Sequence, residues 1–396
     1  MGRPPRSDMA ENWTLDPNIS FLNHGSFGAC PIEVIKEQRK WQDLIENEPV
    51  AFYEDISPDL LSNVRDELGV FLNCAGEDLA LVTNATTGVN TILRSLVFNS
   101  HDEILVPDHA YQACRNAIDF VAKRWGAKVV TCQIPFPIDS NQQIVDIVMG
   151  AITKNTRMAL IDTVTSPTGL RMPFEQLTSE LESNGIQVLL DAAHGPGMIT
   201  LDLEKTGASY VTGNCHKWLC SPKGSAFLYV RKDLQHLIHP LNISHGATFP
   251  LDGISRFRHE FDWVGTSDMS GWLTIPKAIR EMQKISQSSW GEIIEKNRQL
   301  CIQGRDIICE SLGLDAPCPD DMIASISTLK ITDSITKSRP LHEPDPLHQV
   351  LLSKYGIQVP VWSWPSPEGR YLRISAQLYN HPDEYHYLAE CLTKEL

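Results

Sequence analysis

The sequence predicts an α/β fold, with a large domain on a mainly parallel sheet and a smaller α+β domain after it. Three observations carry that prediction. Six short apolar runs recur between residues 79 and 214, several of them about 25 residues apart, and each yields to a polar, helix-like segment. Strands of a parallel sheet are covered on both faces and joined by crossovers, so unbroken apolar runs alternating with helices are their signature. From about residue 275 the rhythm changes to long amphipathic stretches, GWLTIPKAIREMQKI and EIIEKNRQLCIQGRDIICESL, and then to two strand-like runs, ISTLKIT and GRYLRISA. At 396 residues and 42% hydrophobic composition, the chain also exceeds one simple core and can enclose a deep site.

In open α/β sheets the ligand sits beyond the carboxyl ends of the strands, so the residues after each run carry the interest. The first run, LALVTN (79–84), leads into ATTGVNTILRSLVF, where Ala85, Thr86 and Thr87 open a helix. Free N–H groups and two hydroxyls at a helix start suit an anion such as phosphate, although Thr86 and Thr87 also read as plain N-cap residues. The runs EILVPD (103–108), KVVTCQ (128–133) and MALIDTV (158–164) follow, then IQVLLD (186–191), which ends on Asp191 with His194 three residues on. A buried carboxylate requires a cationic partner, and Asp191 reads either as such an acid or as a helix cap. The sixth run, SYVTGN (209–214), overlaps GNCHKWLCSPKG and places Lys217 at a strand end. Lysine is almost never fully buried without a partner, so Lys217 is either a snorkelling surface residue or an amine kept for chemistry. An anion cradle, a buried acid and a strand-end lysine together meet the needs of pyridoxal phosphate: a phosphate clamp, a proton held on the ring nitrogen, and an amine for the Schiff base.

Composition narrows the partners. The 34 basic against 49 acidic residues give a formal net charge of -15, which argues against nucleic acid or an anionic membrane. Nothing approaches eighteen uninterrupted apolar residues, and the start MGRPPRSDMAENWTLDPN lacks a signal peptide's apolar core, so a cytoplasmic protein is expected. The first eight residues read as a disordered tail. Ten cysteines, from Cys30 to Cys391, show no CxxC spacing and read as small apolar side chains in a reducing compartment, with no metal site. A loop rich in Pro and His, SRPLHEPDPLH (338–348), divides the small domain, and no internal repeat is visible.

Seven segments occur in order along nearly the whole chain: FLNHGSFGACP (21–31), NATTGVN, VTSPTGLRMP, DAAHGPG, GNCHKW, WVGTSD and RISAQLYN (373–380). Through them the chain resembles the class V aminotransferase-like branch of the fold-type I pyridoxal phosphate enzymes, closest to the isopenicillin N epimerase-like group. The resemblance implies a segment 1–45 that joins the small domain and the active site, a large cofactor-binding domain 46–280 and a small domain 281–396. It makes Lys217 the Schiff-base lysine and His216 a phosphate neighbour, with Ala85, Thr86, Thr87 and Ser166 also around the cofactor. Asp191 would face the ring nitrogen and His194 the ring's phenolic oxygen. His109, in DHAYQA, is placed to stack on the ring, while Tyr111 is placed either for that or for acid–base work. Arg373 resembles the arginine that holds a substrate α-carboxylate, a role that wants a bidentate fork. Asn23 and His24 would line the substrate pocket, Lys223 would serve a structural turn, and Thr266 would reach the phosphate of a second subunit, implying a homodimer with shared sites.

The resemblance leaves the reaction open. A carbanion at Cα leads to epimerisation, β-elimination or transamination. Epimerisation needs groups on both faces, which Lys217 with Tyr111 or His109 would supply. A C–S β-lyase acting on a cysteine conjugate or sulfoxide, as in ergothioneine-type pathways, needs Lys217 and a leaving group. The epimerase reading comes first on resemblance alone. Cysteine desulfuration ranks lower, because VPVWSWPSPEGRYLR before Arg373 has no cysteine and Cys318 stands 55 residues away. Aminotransfer and a cofactor-binding protein without turnover are the remaining readings.

Overall fold

Twelve strands form three sheets in the computed structural model, which describes residues 3–333, 345–364 and 369–396. In chain order they are β1 (Ser20–Phe21), β2 (Leu79–Val82), β3 (Glu103–Pro107), β4 (Lys128–Cys132), β5 (Thr156–Asp162), β6 (Gln187–Ala192), β7 (Tyr210–Asn214), β8 (Ala226–Val230), β9 (Ile326–Thr332), β10 (Ile357–Gln358), β11 (Val361–Ser363) and β12 (Arg370–Ser375). The six apolar runs become β2 to β7. They enter a seven-stranded sheet of order β2-β8-β7-β6-β5-β3-β4, in which β3 to β7 run parallel to their neighbours among themselves. Every residue of β2, β3, β7 and β8 is buried, whereas β4, at the sheet edge, is exposed at Lys128, partly buried from Val129 to Thr131 and buried only at Cys132.

β8 escaped the sequence reading. It follows the Lys217 turn with no helix between and pairs antiparallel with both β7 and β2, so it breaks the βα rhythm that revealed the others. The helix Ala85–Ser95 lies so close on β7 that a Cβ at Gly88 would overlap the Thr212 hydroxyl.

The small sheet is antiparallel, β11-β12-β9. It is backed by the helix Trp290–Leu312, which opens on a Ser289–Glu292 capping box and ends at Gly313 in the left-handed region, φ 64°. GWLTIPKAIREMQKI, read as one amphipathic stretch, is two helices, Ser270–Leu273 and Ile275–Ser286, the second with Pro276 in its first turn.

Two expectations need correction. From Ser7 on, the chain is not a loose tail: the Ser7 N–H donates to the Tyr379 carbonyl at 3.3 Å and the Ser7 hydroxyl caps a 3-10 turn Asp8–Asn12. In the Pro- and His-rich segment, residues 334–344 lie outside the described residues, but from Pro346 the chain is a helix, Pro346–Tyr355, capped by Asp345; a proline at the first helical position is compatible with its fixed φ. The start of the chain is stitched to its end. β1 pairs in parallel with β10, the Leu22 N–H donates to the Gln358 carbonyl at 3.1 Å, and the Leu22 carbonyl accepts from the Ser375 N–H at 2.9 Å. All ten cysteines are free thiols, eight of them buried. Among the described residues, no helix is long and apolar enough to cross a membrane.

Candidate active site at the strand ends

β7 stops at Asn214 and the chain turns sharply, because the Ser225 carbonyl accepts from both the Cys215 and His216 N–H groups, at 3.0 and 3.1 Å. Lys217 sits on this turn. Its carbonyl accepts from His24 Nε2 at 3.0 Å, and His24 Nδ1 accepts from the Tyr379 hydroxyl at 2.8 Å. Gly28, at φ 70°, presses on the same turn, where a Cβ would stand 2.5 Å from the His216 carbonyl oxygen. His24 is fully buried with both nitrogens engaged, so it holds the backbone of Lys217 and does not line the substrate pocket as expected. Burial, with the Arg373 charge adding to it, pushes the Lys217 ammonium down to about 8.

The amine has one side-chain contact, to His194 Nε2 at 3.2 Å. On the other side of that ring, Trp218 Nε1 donates to His194 Nδ1, also at 3.2 Å. Indole N–H is a donor only, so Nδ1 is unprotonated and the neutral ring carries its hydrogen on Nε2. Burial and the nearby Lys217 keep the ring neutral, its pKa well below the usual histidine range. When Lys217 is the free amine, the Nε2–H donates to it, and this contact favours that form.

Asp191, next to last in β6, faces the same space. Its Oδ1 accepts from the Ala193 N–H at 2.9 Å and its Oδ2 from the Cys114 thiol at 3.1 Å. Directly opposite on β5, in register, stands Asp162, whose Oδ2 is buried without a hydrogen-bond partner. Burial and the neighbouring Asp191 raise the Asp162 carboxyl far above the usual range; two carboxyls so placed do not both ionise, and Asp162 is the neutral one. Burial raises Asp191 as well, but the thiol, the amide and Lys217 all favour its charged form.

At the start of the helix Ala85–Ser95 the N-cap is Asn84, and neither Thr86 nor Thr87 takes that place. Asn84 accepts from the Thr87 N–H, and Asn214 accepts from the Ala85 N–H, each at 2.8 Å. Thr86 is left to present its N–H and hydroxyl to a ligand. His216 donates from Nδ1 to the Ser225 carbonyl at 2.8 Å, which leaves Nε2 for the same ligand.

Arg373 arrives from β12. Its Nη1 donates to the Ser166 carbonyl at 2.6 Å and its Nη2 to the Ser26 hydroxyl at 3.0 Å, while Nε has no hydrogen-bond partner among the described residues. Ser26 in turn donates to Asn23 Oδ1 at 2.6 Å, so Asn23 acts on the arginine through Ser26. Tyr111 is half-exposed at the start of the helix Gln112–Trp125, and burial pushes the Arg373 guanidinium down to about 10. His109 has no nitrogen to spare: Nε2 donates to the Ile134 carbonyl at 3.0 Å and Nδ1 accepts from Thr168 at 2.8 Å. Lys223 donates to the Gly28 carbonyl at 2.9 Å, and Thr266 is exposed on the loop before Ser270. Ser26, Cys114, Asp162, Asn214 and Trp218 went unread. Of these Asp162 carried a signal, since it interrupts the apolar run MALIDTV as Asp191 ends IQVLLD.

This donor set suits a planar cofactor with a phosphate, a protonatable ring nitrogen and a carbonyl carbon. The family profile of the class-V aminotransferases matches residues 47–332. A probable chloroplastic L-cysteine desulfhydrase of Arabidopsis thaliana is 30% identical, over 95% of this chain and 83% of that protein. An isopenicillin N epimerase of Amycolatopsis lactamdurans is 30% identical, over 98% of this chain and 97% of its own. Among solved structures, the cystine C–S lyase C-DES superposes with a TM-score of 0.76 at 18% identity, covering 95% of this chain and 97% of that one, which speaks to the fold. With the profile spanning most of the chain and two relatives matched nearly end to end, this chain belongs to the class-V aminotransferase family of pyridoxal phosphate enzymes.

Proposed function

We propose that this protein is a C–S lyase, cleaving a sulfur leaving group from Cβ of an L-cysteine derivative by β-elimination. One observation carries the reading. His24 and His109 have both ring nitrogens bonded, and His194 is committed to Trp218 and Lys217, which leaves Lys217 to take the Cα proton. Elimination needs one such base, and an L-cysteine desulfhydrase among the relatives supports it.

Thr86 and His216 would hold the phosphate, Asp191 the ring nitrogen and Lys217 the carbonyl carbon. When bound, pyridoxal phosphate supplies an electron sink for the Cα–H bond, effective because Asp191 keeps the ring nitrogen protonated. Arg373 grips the α-carboxylate and so fixes which Cα bond faces Lys217. The amine, in the unprotonated form that the His194 Nε2–H favours, accepts the Cα proton at Nζ. The Cβ–S bond breaks with its electron pair on sulfur, Tyr111 offers the departing sulfur a proton, and the released enamine takes up water to give pyruvate and ammonium. Thr266 belongs, in this reading, to a twofold dimer in which each loop serves the partner's phosphate site.

Epimerisation is the second reading, supported by the phenol of Tyr111 beside Arg373 and by the epimerase relative. An incubation in deuterium oxide separates the two: elimination releases a thiol with pyruvate and ammonium, whereas deuterium at Cα of recovered substrate in both configurations, without keto acid, would replace it by epimerisation.

A further inference from the structure

Beside the carboxylate-binding arginine the protein has an aromatic cleft that the chemistry so far leaves unused. On β12, Tyr371 and Arg373 are two residues apart and share one face of the sheet; the irregularity in pairing lies before Tyr371. Trp362 of β11 stands opposite Tyr371 on that face, and the Arg373 guanidinium lies 5.8 Å from its ring. Thr328, opposite Arg373 on β9, donates to the Pro167 carbonyl at 3.0 Å, so this is the face turned to the strand ends of the large domain.

Further along the face, Phe136, Trp364 and Tyr371 line a cleft of about 460 Å³, with Asp108 and Lys330 at its edge. The ring centroids are 6.2 Å apart for Phe136 and Trp364, 5.8 Å for Trp364 and Tyr371, and 6.0 Å for Phe136 and Tyr371. Trp364 also meets the buried His109 edge-on at 4.7 Å. Trp364 stands nearly perpendicular to Phe136 and to Tyr371, at 81° and 84°, while those two tilt 42° to each other, so the cleft offers both edges and faces to a fourth ring.

We propose that this cleft receives the sulfur substituent of the substrate, and that the substituent is a flat aromatic or heteroaromatic group. The substrate class, an S-aryl-type cysteine, rests on the elimination proposed above. The reach agrees: two residues of β12 span roughly 7 Å, comparable with the distance from an α-carboxylate across Cβ and sulfur to a ring. Small apolar substituents leave the cleft unfilled, and saturated rings lose the edge-to-face contacts.

The test uses the holoenzyme and two amino acids with no leaving group at Cβ, L-2-amino-4-phenylbutanoate and L-2-amino-4-cyclohexylbutanoate, titrated by the change in cofactor absorbance. The phenyl compound should bind roughly two- to twelvefold more tightly, the range for one aromatic contact. Phe136→Leu and Tyr371→Leu should each reduce that ratio toward one. Equal or tighter binding of the cyclohexyl compound to the wild-type protein, which requires no variant to fold, overturns the proposal, as does a ratio unmoved in both variants. S-phenyl-L-cysteine then separates this inference from the reaction: a phenyl preference without release of thiophenol and pyruvate keeps the aromatic cleft and removes the lyase reading, and release without a preference does the reverse.

Discussion

Lys217 and Trp218, adjacent in sequence, contact opposite nitrogens of one imidazole, His194, each at 3.2 Å. The tryptophan can only donate, and that fixes the proton on the far nitrogen, toward the lysine. A buried indole thus sets the protonation state in which its neighbour can act as nucleophile and base.

The first consequence concerns pH. Below about 8 the Lys217 ammonium prevails and cannot attack a carbonyl carbon. Capture of pyridoxal phosphate by cofactor-free protein should therefore accelerate with rising pH and level off above about 8, where an unperturbed lysine would go on gaining to about 10.4. Stopped-flow absorbance at graded pH reads this directly. His194→Ala removes the N–H that favours the free amine and should move the inflection upward.

Attachment should be confined to one residue. After borohydride reduction, peptide mass analysis should find the cofactor on Lys217, and Lys217→Ala should carry none. Recovery on Lys223 would overturn the assignment; its amine is tied to the Gly28 carbonyl.

Asp191→Asn should still bind the cofactor yet lose most of its turnover, because the charge that keeps the ring nitrogen protonated is gone. Asp162→Asn, which changes a carboxyl already neutral, should cost far less. Equal losses in the two would mean that the charge resides on the pair and not on Asp191. Steady-state kinetics of both variants decides it.

Arg373→Ala should lower kcat/KM by roughly 100-fold, about 3 kcal/mol, since a charged, bidentate contact to the α-carboxylate is lost. Asn23→Ala, which frees Ser26, should do so to a smaller degree. Full activity in Arg373→Ala with any α-amino acid would remove the carboxylate assignment.

Sedimentation should report a twofold dimer, and dilution to monomer should release cofactor if Thr266 serves the neighbouring site. A fully active monomer contradicts that reading.

The parallel strands were legible because each is a continuous apolar run, and the sites after β2, β6 and β7 followed from where such strands deliver their ends. What stayed hidden lies in contacts between distant segments. Ser26 touches Arg373 across 347 positions, and nothing in FLNHGSFGACP marks that serine as the one that will meet a guanidinium. Cys114 reads as an ordinary buried helix residue until β6 brings Asp191 to its thiol. His109 looked like an acid–base group because its two hydrogen-bond partners, Ile134 and Thr168, come from other loops.

The stitching of the two chain ends around the Lys217 turn bears on how the protein matures. A ribosome emits Lys217 156 residues before Arg373, and Tyr379 later still. At about 5–20 residues per second that interval is roughly 8 to 30 s. During it the lysine turn lacks the tyrosine behind His24 and the arginine that depresses the ammonium. Capture of the cofactor by a depressed lysine should therefore follow the synthesis of β12, and a chain cut short before β12 should capture pyridoxal phosphate only at higher pH.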